Sequence, residues 1–266
     1  MSLWWLSYPL LGIFAGFVAG LFGVGGGLTI VPLLFMLFSA QDFPVQHTMH
    51  LALGTSMATI VFTSVASTRA HHSHGAVRWD VVKAFAPGLM LGTFSGSFVA
   101  AWVPTRPLAM VFTVIVYYAA AQMILDFKPK PHRGLPGPWG IFAVGTAIGI
   151  VSSLVAAGGG FLSIPFMVFC NVAIHNAVGT SAALGFPIAL AGTFGYIASG
   201  LKATGLPPYS LGYIYLPAFV GVVAFSFVVA PFGAKLAHRL PVKQLKRAFG
   251  GFLALLATKM AWGLLG

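Results

Sequence analysis

The sequence predicts an all-α integral membrane protein built from two inverted repeats of about five membrane segments each, and three observations carry that prediction. Apolar residues make up 58% of the 266 and charged residues 6%, with a mean hydropathy of +0.94, whereas about a quarter of a soluble domain is charged. The apolar residues run in long stretches parted by short loops, the pattern of membrane helices rather than of the short alternating strands of a barrel. Two motifs also recur, once in each half of the chain.

The first half carries apolar segments at about 3–22, 28–38, 48–68, 83–103 and 107–126, and the second at about 139–157, 161–170, 175–198, 212–234 and 247–265. The repeats are therefore 1–127 and 139–266. Residues 128–138 form a Lys- and Pro-rich linker on the cytoplasmic side, whose prolines forbid a helix. No charge precedes Asp42, so the N-terminus lacks the basic region of a cleavable signal peptide and 3–22 reads as the first span. The segment 28–38 would rise only about 16 Å as a helix, roughly half the hydrocarbon thickness. It forms either a V-shaped, partly re-entrant hairpin with the segment before it or one part of a broken helix that crosses once.

Loop charge decides between these, because Lys and Arg concentrate on the cytoplasmic side. The hairpin puts Arg69, Arg78, Lys83, Lys128, Lys130, Arg133, Lys235, Arg239, Lys243, Lys246 and Arg247 on one side, with only Arg106 and Lys202 opposite. A single crossing would divide the same residues almost evenly. With the hairpin each half makes five passes, an odd number, so the halves sit upside down relative to each other. Both termini are then periplasmic.

The first repeated motif is Gly25-Gly26-Gly27-Leu28-Thr29-Ile30-Val31-Pro32, which returns as Gly158-Gly159-Gly160-Phe161-Leu162-Ser163-Ile164-Pro165. Three glycines inside an apolar run weaken a helix where it should continue. In a bilayer such a break is tolerated only where protein buries it or it lines a cavity. One triplet alone suits close helix packing as well as a site; paired breaks at matching positions favour a transporter's binding site. The second motif, H-x-A-x-G-T-S, runs from His50 to Ser56 and from His175 to Ser181. Its Thr-Ser pairs supply hydroxyls a turn beyond the histidine, either for a ligand or for helix packing and bonds to their own backbone.

Short half-helices starting at Leu28 and Phe161 are expected to meet near the midplane, aiming positive dipole ends at one point from opposite sides. That makes an anion site of Gly25, Gly26, Gly27, Gly158, Gly159 and Gly160, with Thr55, Ser56, Thr180 and Ser181 as hydroxyl donors. Lys259 aligns with Gln122 at an offset of 137. Together with His50 and His175 these are the candidates for gating or coupling, although Lys259 also suits snorkelling to the surface.

Other classes fare poorly. There is no Glu, and Asp42, Asp80 and Asp126 fall at loops or span ends, so a carboxylate relay or cation cage has nothing to build on. The substrate is anionic or neutral. The net charge of +11 comes from loop residues beside spans and marks topology, not nucleic acid. His71, His72 and His74 resemble a short metal-binding tract but have only Asp80 close enough to complete a site, and a basic cytoplasmic loop is their expected setting; the lone Cys170 forms no intrachain disulfide, and no cofactor is expected. G-x-x-x-x-G-K-[ST], H-E-x-x-H and G-x-S-x-G are all absent, which argues against an ATP-driven pump and an intramembrane enzyme. A channel-like facilitator of anions or a neutral solute, and a non-transporting subunit, stay open, as does a homo-oligomer.

The doubled glycine and H-x-A-x-G-T-S elements, with His74-Gly75-Ala76-Val77-Arg78-Trp79 followed by Gly88 and Gly92, resemble the TauE/SafE family of bacterial sulfite and organosulfur-anion exporters. The resemblance covers almost the whole chain. It implies a secondary transporter that exports sulfite or a small sulfonate across the inner membrane.

Overall fold

A computed structural model describes residues 6–22, 26–125, 134–237 and 242–265. Among these residues the first half forms α1 (Ser7–Phe22), α2 (Gly27–Ala40), α3 (Thr48–Ser73), α4 (Trp79–Trp102) and α5 (Thr105–Ile124). The second forms α6 (Pro138–Val155), α7 (Gly160–Phe169), α8 (Ile174–Gly200), α9 (Leu216–Ala237) and α10 (Val242–Leu265). Every expected segment is present, within a few residues of its expected bounds. Asp126 and most of the linker lie outside the described residues. Pro138 opens α6, where its missing N–H removes no helix bond.

Several boundaries move by four or five residues, as where α4 begins at Trp79 and α10 at Val242, and two of the shifts have a visible consequence. Helix α3 continues past 68 to Ser73, so it takes in the polar Arg69, and its last turn carries His71 and His72. The span expected from 212 instead begins at Leu216, because 210–215 form a hairpin in which β1 (Ser210–Leu211) pairs antiparallel with β2 (Ile214–Tyr215). Gly212 takes φ 55° there, and the Tyr213 N–H donates to the Tyr196 carbonyl of α8 at 3.1 Å. From 211 on the hairpin residues are apolar or aromatic, so hydropathy alone merges them with the helix that follows.

Helices α3, α4, α5, α6 and α8 are each long and apolar enough to cross a membrane. The 26 residues of α3 rise about 39 Å. Helices α2 and α7 stay short, at 14 and 10 residues, and rise only about 21 and 15 Å. Burial sorts the long helices: 78% of the apolar window of α3 and 72% of that of α8 lie inside the protein, against 39% to 44% for α4, α5 and α6. The central pair is therefore α3 with α8, and the others turn a face outward.

The halves exchange partners around that pair. Helix α1 packs on α9 and α6 on α4, while α5 lies against α10. Helix α5 runs antiparallel to α10, since Tyr117 shares a hydrogen bond with Thr258 at 2.8 Å and Arg106 donates to the Leu264 carbonyl at 2.8 Å. Small residues make the other seams. Gly12 and Gly16 let α1 onto the backbone at Val222 and Ser226, and Gly88 and Gly92 let α4 onto the carbonyls of Phe142 and Thr146. Where lipid is as apolar as leucine, such close backbone approach supplies the van der Waals contact that holds helices together.

A Cβ at Gly92 would collide with the Thr146 carbonyl, whereas one at Gly251 meets nothing within 4 Å. Gly92→Val should cost about 1–3 kcal/mol by overpacking, lowering the melting temperature in detergent, while Gly251→Ala should leave it unchanged or slightly raised.

Candidate functional site

Each short helix starts from a glycine in the left-handed region. Gly26 has φ 75° and ψ −11°, and Gly159 has φ 75° and ψ −9°. A side chain there would press on the following carbonyl, which is why glycine takes the position. The Gly26 carbonyl accepts from the N–H groups of Thr29 and Ile30 at 3.0 and 2.9 Å, and the Gly159 carbonyl from those of Leu162 and Ser163 at 3.1 and 2.8 Å. No side chain caps either helix. Their first N–H groups thus have no intrahelical partner and carry the positive end of the helix dipole.

The two breaks touch. Gly27 lies so close to the Ala156 carbonyl, at the end of α6, that a Cβ would collide with it. Ile60 of α3 borders both: its Cδ1 is 2.9 Å from the Cβ position of Gly27, and its Cγ2 is 3.9 Å from that of Gly158. Gly185 of α8, which corresponds to Ile60 in the repeated motif's register, lies 3.5 Å from the same Gly158 position. Gly26, Gly27 and 156–160 are all buried. Gly25 lies outside the described residues.

The Thr-Ser pairs divide their work. Thr55 Oγ1 accepts from the Tyr215 N–H and Thr180 Oγ1 from the Arg78 N–H, both at 3.0 Å. Gly54 packs on the Tyr213 carbonyl and Gly179 on that of Ala76. Arg78 and Tyr215 stand at corresponding places, just before α4 and α9, so each half's central helix holds the loop of the other half. Both threonine oxygens act here as acceptors, which leaves each hydroxyl proton free for the donor role expected of it. Ser56 and Ser181 lie one turn from Ile60 and Gly185 and so share the face turned to the breaks. Ser181 pairs with Ser163 of α7 at 2.9 Å, whereas the buried Ser56 Oγ has no partner among the described residues.

The gating candidates stand apart from the breaks. His50 is buried at the start of α3, with Nε2 at 3.1 Å from the carbonyls of both Ala100 and Val103 and its ring stacked on Tyr213. His175 is exposed. Gln122 is half-buried on α5 near the level of Gly250, which packs on Ala120, Met123 and Ile124; Lys259 is exposed on α10 beside the level of Tyr117. About nine residues, or 13 Å of helix, separate those levels. His72, in the histidine-rich turn, accepts from the Trp79 indole N–H at 3.2 Å.

Sequence reasoning missed Ile60 and Ala156, which carry no chemical signature, and also Ser152. Ser152 is buried in the last turn of α6, and its Oγ has no partner among the described residues. It sits 3.8 Å from the Cβ position of Gly159. Aligning the halves at the glycine triplets finds it, since Ala19 stands at the matching place.

The family model described as sulfite exporter TauE/SafE matches residues 8–260. A "probable membrane transporter protein" of Haemophilus influenzae is 40% identical, over 94% of this chain and 96% of its own length. The probable membrane transporter protein YdhB of Bacillus subtilis is 28% identical, over 90% and 91%. A probable membrane transporter protein of Methanocaldococcus jannaschii is 23% identical, over 96% of each chain. No solved structure matches.

Thr55→Val keeps the shape of the side chain but leaves the Tyr215 N–H without its acceptor, at an expected cost of about 1–3 kcal/mol. Amide exchange at Tyr215 should accelerate, and Thr55→Ser should restore it. Thr180→Val should do the same at Arg78.

Proposed function

Because the chain belongs to the TauE/SafE family of membrane transporters, we propose that it carries a small sulfur-containing anion, sulfite or an organosulfonate, outward across the bacterial inner membrane. The observation that carries this reading is the contact between the two helix breaks, Gly27 against Ala156, which brings two uncapped helix N-termini to one buried place. Backbone N–H groups and dipole ends suit an oxyanion without a fixed positive charge, and binding of that kind is weak enough to allow release. Gly26, Gly27, Gly158, Gly159 and Gly160 form the floor of the site, with Ser56 and Ser181 beside it.

The two halves, 1–127 and 139–266, act as oppositely oriented repeats joined by the linker 128–138, with the site near the midplane and both termini periplasmic. The matched partners of the halves support this arrangement. Export follows from one repeat rocking against the other, and an inside-negative potential alone favours the outward movement of an anion. The burial of every described residue at the breaks supports a carrier that opens to one side at a time over an open pore.

Uptake of radiolabelled sulfite and a panel of small sulfonates into proteoliposomes tests the reading. Flux should rise when unlabelled substrate is present on the far side, and it should vanish in a folded Gly159→Leu protein, whose side chain would meet Ile188 in a left-handed backbone. Flux without stimulation from the far side would point to a facilitator. No flux of any sulfur anion under imposed gradients and potential would refute the substrate class.

A further inference from the structure

We propose that the anion rests on one helix start, that of α7, and that the Ser152 hydroxyl is the side-chain donor that positions it there; this deepens, and depends on, the reading of an anion site at the breaks. Helix α7 has ten residues, and its N-terminus is uncapped. The second observation is Ser152 itself. A serine inside a helix ordinarily donates to a carbonyl three or four residues back, and Ser153 does so, to Ile150 at 2.7 Å. Ser152 does not. Its Oγ is fully buried, has no partner among the described residues and lies against Gly159, the residue before α7. An unpaired buried hydroxyl is costly and calls for an explanation. Beside Ser152, the nearest side chains to the Cβ position of Gly159 are those of Ile148 and Ile188, which supply no acceptor.

The two breaks share a backbone but not a chemistry. At the start of α7 stand Ser152, Ser163 and Ser181, the last two bonded to each other. At the matching places of the first half the chain has Ala19 for Ser152 and Ile30 for Ser163. Only Ser56, opposite Ser181, is retained. The one other hydroxyl at the start of α2, that of Thr29, donates to the Gly26 carbonyl at 2.7 Å. Ile60 adds an apolar wall where Gly27 sits, and its counterpart in α8 is Gly185, which leaves room. An oxyanion therefore finds N–H groups with the unpaired Ser152 and the Ser163–Ser181 pair at α7, against the single unpaired hydroxyl of Ser56 beside α2. An anion whose charged oxygens face α7 and whose other pole faces Ile60 fits this polarity.

The test measures transport of sulfite and of ethanesulfonate by the full chain in proteoliposomes, together with its melting temperature. Loss of one hydrogen bond to a charged ligand should raise KM about tenfold or more in Ser152→Ala, with kcat changed less than about threefold and no fall in melting temperature. Ser152→Thr, which keeps a hydroxyl, should recover most of the affinity. Ser153→Ala, which removes a hydroxyl already bonded to its own helix, should transport like the parent protein. A KM for both anions within about twofold of the parent in Ser152→Ala would overturn the role of Ser152 while leaving the transport reading in place. No flux of either anion, or of other oxyanions, in the parent protein would overturn both.

Discussion

A helix can start abruptly in the middle of a packed protein only if the residue before it turns the chain without a side chain in the way. Gly26 and Gly159 make that turn with nearly identical dihedral angles, and the rest of the central region follows from it. The turn sets the directions of α2 and α7, leaves their first N–H groups uncapped, and frees the next glycine of the first triplet to lie on the Ala156 carbonyl. Pairing those N–H groups within a continuous helix would bury the same backbone with no place for a ligand. The cost of the break is tolerable because α3 and α8, the most buried of the long helices, enclose it on both sides.

Much of this was legible in the sequence because membrane helices obey two strong rules, apolar length and basic loops. The ten segments and the starts of the two short helices follow from hydropathy and the glycine triplets. The hairpin at 210–215 escaped because most of its side chains are apolar or aromatic and it is pinned by Tyr196 of α8 and Thr55 of α3, outside its own segment. The work of Thr55 and Thr180 escaped for a similar reason. A Thr-Ser pair in a helix reads as local packing or as a ligand donor, and nothing local shows that its partner is a backbone N–H 160 or 102 residues away. The two histidines of the repeated motif looked equivalent, but one is buried against Ala100 and Val103 and the other is exposed.

Repetition with divergence is the informative pattern in this chain. The threonines and the left-handed glycines, kept in both halves, serve the same backbone geometry twice, whereas the histidines, also kept, do not. Where the halves differ, as at Ile30 and Ser163 or Ile60 and Gly185, the geometry is kept and the chemistry is free to change. The breaks can thus be alike as architecture and unlike as surfaces.

The pairing of α1 with α9 has a consequence for how the protein is made. Gly12 and Gly16 settle on Val222 and Ser226, which are more than 200 residues further along the chain. At a synthesis rate of about 5–20 residues per second, α1 waits on the order of ten seconds or longer before its partner emerges. During that interval its glycine face lacks its native partner and rests against lipid or another helix. Helix α1 therefore finds its main partner only after α2 to α8 have been made.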